Sequence, residues 1–295
     1  MTQSLSLQEH TKHPMKMTRV NDLDYYYLEQ GTGRVVFLLH GFPDWAGTWD
    51  STITELSKSY RCIAPILRGY YPTSIPSDGD YSMKALATDV RGLADALGIE
   101  TFDVIGHDWG ASVTYSVANL CPERIGRIVT VAIPHPAFLG PSPVTLYKAR
   151  HFLRFRNEKK SPPYTRKNNF AYIDTLYKRW APNWTDYEST ATLIKEQFQL
   201  EGRLEAALGY YWSFHRTLGN KELQSFYGQH PSMPLLTLFG ETDGALVRKP
   251  FLAMEKAFPS DRFRLAAHKT AGHFLQQEAP DFFLEHVTSF LQETF

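Results

Sequence analysis

The residues with the most chemical potential are an aspartate between two glycines, a histidine late in the chain and an acid between the two. Val104-Ile105-Gly106-His107-Asp108-Trp109-Gly110-Ala111 runs from an apolar, β-branched stretch through Gly-x-Asp-x-Gly into a helical pattern. A strand-to-helix turn of this kind is strained and needs small residues on both sides, so that the two backbones can approach closely. Its central side chain projects at a helix N-terminus, where negative charge is stabilised. A carboxylate there is ionised at pH 7 without help from a base. It can attack an electrophilic sp3 carbon and form an alkyl ester. Taken alone, the five residues fit a tight turn with a helix-capping Asp equally well.

Three further segments argue against the plain turn. His273 lies in Thr270-Ala271-Gly272-His273-Phe274, between an expected last strand and last helix, and Asp243 lies in Phe239-Gly240-Glu241-Thr242-Asp243-Gly244, just past the preceding strand. An ester on Asp108 needs water activated by a base oriented by an acid, which are the roles of His273 and Asp243. Glu241 is the alternative acid, but Asp243 is better placed beyond the strand end. The third segment is His40-Gly41-Phe42-Pro43, directly after the apolar run Val35–Leu39. The backbone amides of Phe42 and Trp109 are the expected pair holding the oxyanion when the ester carbonyl is attacked. Each segment has an ordinary alternative, since loop histidines, Asp-Gly turns and Gly-x-Pro turns are common.

These groups need a scaffold that brings strand ends together. Val35–Leu39, Arg61–Ile66, Phe102–Ile105, Ile128–Ile133, Leu235–Phe239 and Arg262–Leu265 read as strands. Tyr81–Leu97, with Leu86, Val90, Leu93 and Leu97 on one face, reads as a helix, as do Ala111–Leu120 and Phe282–Phe290. Asp24–Leu28 reads as part of an N-terminal hairpin. Strands alternating with helices predict a mostly parallel sheet, eight-stranded and flanked by helices, with its site at the carboxyl ends of the strands. From about Pro134 to Pro234 the β-rich runs stop, and helix-like stretches appear around 147–156, 170–180 and 190–216. The expected organisation is a core over 1–134 and 234–295, interrupted by a helical cap over 135–233.

Composition narrows the function. The 295 residues hold 31 Lys plus Arg and 31 Asp plus Glu, so no net field attracts nucleic acid or an anionic membrane. Cys62 and Cys121 belong to no metal-spaced pair and read as core thiols. No apolar run reaches the ~20 residues that cross a bilayer. The first ten residues have no apolar leader core, which predicts a cytoplasmic protein.

Together, His40-Gly41-Phe42-Pro43, Gly106-His107-Asp108-Trp109-Gly110 and the late Asp243 and His273 resemble the α/β-hydrolase epoxide hydrolases, over about Tyr25 to Phe290. The chain order of nucleophile, acid and histidine is that of the α/β-hydrolase fold. The resemblance implies two cap residues, usually both Tyr, that hydrogen-bond the epoxide oxygen. Ala207-Leu208-Gly209-Tyr210-Tyr211-Trp212 resembles the second cap motif and gives Tyr211, with Tyr210 as competitor. In Ala149-Arg150-His151-Phe152-Leu153-Arg154-Phe155, His151 stands where the first cap Tyr is usual, and Tyr147 is the alternative. His40, Trp109, Tyr210 and Trp212 are expected to line the substrate.

The expected function is conversion of an epoxide to a vicinal diol through an ester on Asp108, with no metal or organic cofactor. The partner is the small-molecule epoxide, not nucleic acid or membrane. The oligomeric state is left open, a homodimer being one option. Haloalkane and fluoroacetate dehalogenases share the Asp nucleophile. Trp109 offers an indole N–H to a halide, whereas Phe42 offers no side-chain donor. Trp109 and Ser112 occupy the positions where a fluoroacetate dehalogenase usually has Arg. A serine esterase is disfavoured because the elbow residue is Asp. A ligand sensor on the same fold remains a different class of function.

Overall fold

The computed structural model describes residues 6–295. The chain opens with a hairpin of β1 (Met15–Val20) and β2 (Leu23–Gln30). It continues through β3 (Val35–Leu39), α1 (Asp50–Leu56), β4 (Arg61–Pro65), α2 (Met83–Ala96), β5 (Phe102–His107), α3 (Trp109–Leu120) and β6 (Ile125–Val131). Helices α4 (Pro143–Lys148), α5 (Arg150–Phe155), α6 (Ser161–Trp180), α7 (Tyr187–Gln199), α8 (Arg203–Thr217) and α9 (Lys221–Tyr227) follow. The chain then returns through β7 (Leu235–Gly240), α10 (Lys249–Ala257), β8 (Phe263–His268), α11 (Leu275–Glu278) and α12 (Pro280–Gln292).

The described strands form one eight-stranded sheet in the order β1-β2-β4-β3-β5-β6-β7-β8. Only the β1–β2 and β2–β4 pairings are antiparallel. Every residue of β3, β5 and β7 is buried, as befits central strands covered on both faces. Register does the positioning. Leu39 pairs with Gly106, so the loop after β3 lies beside the turn after β5. Gly240 pairs with His268, so the loops after β7 and β8 are also neighbours.

Helix boundaries follow local chemistry. Ser82 caps α2 by accepting the Ala85 N–H at 3.2 Å, an interaction worth about 1 kcal/mol. The expected helix over 190–216 is two helices, because Gly202 takes φ +73° between α7 and α8. The stretch expected around 147–156 is likewise split into α4 and α5. Residues 167–170 leave helical geometry inside α6, with positive φ at Asn168, Asn169 and Phe170. Asn tolerates that region, whereas Phe170 is held there while buried against Phe198. Strand β6 begins three residues earlier than the apolar run suggested and ends at Val131.

A buried ion pair ties β4's exit to α2. Arg68 donates from Nε and Nη2 to the two carboxylate oxygens of Asp89, at 2.6 Å each, and from Nη1 to the Asp80 carbonyl. This planar two-point grip fixes the segment after β4 beneath α8, where Arg68's own carbonyl accepts the Tyr210 hydroxyl at 2.9 Å. No helix among the described residues is long and apolar enough to cross a membrane.

Candidate active site

Asp108 stands between β5 and α3 with φ 53° and ψ −120°. A non-glycine residue pays about 1–3 kcal/mol for such a backbone. Its neighbours make the turn feasible only as glycines. A Cβ on Gly106 would lie 2.2 Å from the Gly110 carbonyl oxygen, and one on Gly110 would lie 2.1 Å from that of Leu39.

The carboxylate is already partnered on both oxygens. Phe42 donates its backbone N–H to Oδ1 at 2.8 Å, and His273 Nε2 lies 3.2 Å from Oδ2. The other ring nitrogen of His273, Nδ1, lies 2.8 Å from Asp243 Oδ2. Asp243 is held in turn, because its Oδ1 accepts the N–H groups of Ala245 at 2.6 Å and Leu246 at 3.1 Å. Asp108, His273 and Asp243 thus form one chain of hydrogen bonds from the ends of β5, β8 and β7. Glu241 is not part of it and faces Arg248 at 3.5 Å.

Burial alone would push the His273 imidazole toward neutrality, but the Asp243 and Asp108 carboxylates outweigh it and raise its pKa to about 10. Burial alone would raise Asp108, and His273 with the Phe42 N–H reverses this and holds it below the usual value. With Asp108 ionised, His273 is an imidazolium between two carboxylates at pH 7.

Tyr211, on α8, and His151, on α5, lie near this Asp-His-Asp arrangement. Tyr211 is buried, its ring edge-on to Phe42 at 5.3 Å and to Trp109 at 5.0 Å. Burial raises its pKa well above 10, the Asp108 charge adds to the rise, and the Trp109 side chain works against it. The phenol therefore keeps its proton. His151 sits 5.9 Å from the Tyr211 ring and 4.7 Å from that of Trp180, which itself covers His273 at 5.0 Å. Burial, then the Arg179 guanidinium, push His151 down to about 3, so it is neutral. Tyr147, the alternative to His151, is 67% exposed and lies under Arg150 instead.

Three residues expected to line the substrate have their polar groups engaged within the protein. The Tyr210 hydroxyl is spent on the Arg68 carbonyl. The Trp212 indole N–H is shared between the Phe155 carbonyl at 2.9 Å and Ser161 Oγ at 3.2 Å. His40 is fully buried with its pKa lowered to about 4 by burial. Its Nε2 accepts the Leu67 N–H at 3.0 Å, which leaves the proton on Nδ1 to donate to the Gly41 carbonyl at 3.1 Å. It braces the loop that carries the Phe42 amide. The indole of Trp109, by contrast, lies among Tyr211, Phe152 and Phe214, and its N–H points toward the Tyr211 hydroxyl without a full-length hydrogen bond.

Other polar residues around the triad gave no signal in the sequence. His107, pushed down to about 3 by burial and so neutral, donates from Nε2 to the His273 carbonyl at 2.9 Å. Asp44, raised to about 7 by burial, accepts the Trp45 N–H at 2.9 Å and Gln277 Nε2 at 3.0 Å. Glu278 accepts backbone N–H groups on both sides of His273. His107 and Asp44 each adjoin a motif residue, which was the one available cue.

The fold and this hydrogen-bonded Asp-His-Asp arrangement define a hydrolase scaffold with a carboxylate at the turn between β5 and α3. A family profile described as the alpha/beta hydrolase fold matches residues 34–280, and the chain belongs to that family. Among curated proteins it is 27% identical over 291 residues to Epoxide hydrolase 4 of Homo sapiens, covering 93% of this chain and 78% of the relative. It is 28% identical over 291 residues to Epoxide hydrolase 2 of Caenorhabditis elegans, covering 94% and 80%. Among solved structures, the Bacillus megaterium epoxide hydrolase in complex with an inhibitor superposes with a TM-score of 0.79 at 22% identity, over 94% of this chain and 100% of that one. Epoxide hydrolase VrEH1 from Vigna radiata does so with a TM-score of 0.79 at 24% identity, over 96% and 99%.

Proposed function

We propose that this chain is an epoxide hydrolase that opens its substrate by attack of Asp108 and releases a vicinal diol. The observation that carries the reading is the Asp108 carboxylate itself, gripped by the Phe42 amide on one oxygen and facing His273 on the other. The curated relatives named epoxide hydrolase support the substrate class. The segment 135–233 serves as the cap that brings Tyr211 and His151 to the reaction. A cytoplasmic location, consistent with two buried free thiols, belongs to the same reading.

Oδ1 of Asp108, already on the Phe42 amide, becomes the ester carbonyl oxygen, which leaves Oδ2 to attack. As the Oδ2–carbon bond forms and the ring C–O bond breaks, Tyr211 gives its proton to the departing oxygen, with His151 as second donor. A donor is needed because an alkoxide in an apolar pocket is a poor leaving group. Esterification removes the Asp108 charge, and with it one of the two carboxylates that raise His273. The histidine can then release its proton, by way of solvent, to the Tyr211 phenolate and act as base. It takes a proton from water as the oxygen attacks the Asp108 carbonyl carbon. The Phe42 and Trp109 amides hold the oxyanion. Collapse expels the diol oxygen, which takes the proton from His273, and the proton left on the new carboxyl group passes to His273 and restores the imidazolium.

The test is a substrate panel of styrene oxide, 1-bromobutane and fluoroacetate, scored for diol and for halide. Diol without halide is the expected result. A second reading, dehalogenation by the same Asp108, is favoured by the buried Trp109 indole N–H, which makes no full hydrogen bond and could turn to a halide. Halide without diol would overturn the epoxide reading in its favour.

A further inference from the structure

Three consecutive backbone N–H groups run through the His273 loop, and each has its own acceptor. Gly272 donates to Glu278 Oε2 at 2.7 Å, His273 to the Trp180 carbonyl at 3.0 Å, and Phe274 to Glu278 Oε1 at 2.9 Å. One carboxylate therefore brackets the histidine, while the last carbonyl of cap helix α6 holds its middle. That same Trp180 carbonyl accepts the Gly244 N–H at 3.2 Å, next to Asp243. With His107 on the His273 carbonyl, the residue's backbone is fixed on both faces. The imidazole direction is then set by χ angles alone.

Here we propose that Glu278 is a positioning residue for the water-activating step: its carboxylate holds His273 in line with Asp243 and Asp108, and its protonation loosens that alignment. This rests on the epoxide hydrolase reading for its kinetic consequence but not for its geometry. Only an ionised carboxylate offers lone pairs freely to both N–H groups, whereas a protonated one turns one oxygen into a donor. Glu278 is partly exposed beside Asn183, Thr185, Asp186 and Thr270, so it exchanges protons with solvent. The charged groups facing it are His273, which favours its ionised form, and Asp243, which opposes it. Asp186 stands across the same cleft, and Asp44 is held by the adjacent Gln277. Burial, against the pull of the two N–H groups, raises Glu278 to about 7. The sign follows directly: the bracket is complete above pH 7 and weakens as pH falls through it.

The two half-reactions should respond differently. Attack by Asp108 needs no base, so Glu278→Gln should leave the rate of ester formation within about twofold. Ester hydrolysis depends on aim, and misplacing a catalytic group by about 1 Å costs on the order of 100-fold. Rapid-quench mass spectrometry with styrene oxide should show the Asp108 ester accumulating in Glu278→Gln but not in the parent. The parent's hydrolysis rate should fall on the acid side of pH 7 by more than protonation of His273 alone requires, and that extra loss should disappear in Glu278→Gln. Glu278→Asp, too short to span both N–H groups, should behave like the Gln variant.

A readout without substrate separates this inference from the functional reading. The His273 Nδ1 proton shared with Asp243 should give a far-downfield NMR resonance that shifts through pH 7 in the parent and not in Glu278→Gln. If His273→Gln traps no ester, the epoxide reading fails and this resonance alone decides the role of Glu278. An unchanged resonance titration in Glu278→Gln overturns the proposal. So does an acid limb of hydrolysis that persists unaltered, or an equal loss in both half-reactions.

Discussion

The Phe42 N–H lies 2.8 Å from Oδ1 of Asp108, so the carboxylate rests in one half of the site that would stabilise its own tetrahedral adduct. The contact depends on Gly41, where a Cβ would come 2.4 Å from the Asp108 Cβ and 2.6 Å from Oδ1. Gly41→Ala should displace one side of this pair and lower turnover by about 100-fold or more. Thermal melting should separate this from unfolding. A fully active, folded Gly41→Ala protein would show that the close approach is not needed.

On the proposed mechanism Asp108→Ala removes the nucleophile and should abolish turnover, by about 10⁴-fold at least. His273→Gln removes the base but not the nucleophile, so it should accumulate a covalent adduct equal in mass to protein plus epoxide. Intact-mass spectrometry reads this directly, and peptide mapping should locate the adduct on Asp108. An adduct on another residue would remove Asp108 from the mechanism.

The two adjacent cap tyrosines should part company. Tyr211→Phe should slow ester formation by about 100-fold, the usual scale for a lost general acid. Tyr210→Phe should leave that rate within about twofold and instead cost about 1–2 kcal/mol of stability, because the buried Arg68 carbonyl loses its donor. Stopped-flow quenching of the active-site tryptophans measures the first, and urea unfolding the second. His151→Phe should add to the Tyr211 effect, whereas Tyr147→Phe should do nothing measurable.

The elevated His273 predicts a pH dependence of stability. Its folded value of about 10 exceeds the ordinary value near 6.5, so the stabilisation is complete below that ordinary value. It is lost as pH rises through about 10. The Tm should therefore fall between pH 7 and pH 10.5. In Asp108→Asn the fall should be smaller and end at lower pH, because one of the two carboxylates raising His273 is gone. Superimposable Tm profiles for the two proteins would show that Asp108 and His273 are not electrostatically coupled.

Asp89→Ala should leave Arg68 as an unpaired buried cation and destabilise the protein by about 3–5 kcal/mol. Chemical denaturation measures this. A loss under 1 kcal/mol would mean that water reaches Arg68 through the Asp80 side.

The sequence by itself determined the features that depend on near neighbours in the chain. The apolar runs of β3, β5 and β7 read as strands covered on both faces, and the structure has them so. Gly106 and Gly110 admit the turn at Asp108, and the order of Asp108, Asp243 and His273 along the chain was plain. Tertiary structure decided what depends on direction. Tyr210 and Tyr211 are equivalent in composition and context, but one residue along a helix turns a side chain by about 100°. One hydroxyl therefore meets the Arg68 carbonyl and the other faces the Asp108 side. His151 and Tyr147 were separated in the same way, by the break between α4 and α5 that buries one and exposes the other. Asp243 prevailed over Glu241 because it lies where the loops after β7 and β8 meet, a consequence of the Gly240–His268 register. Glu278 and the Trp180 carbonyl stayed invisible for the same reason. Their partners are backbone N–H groups, which every residue carries and no sequence pattern marks.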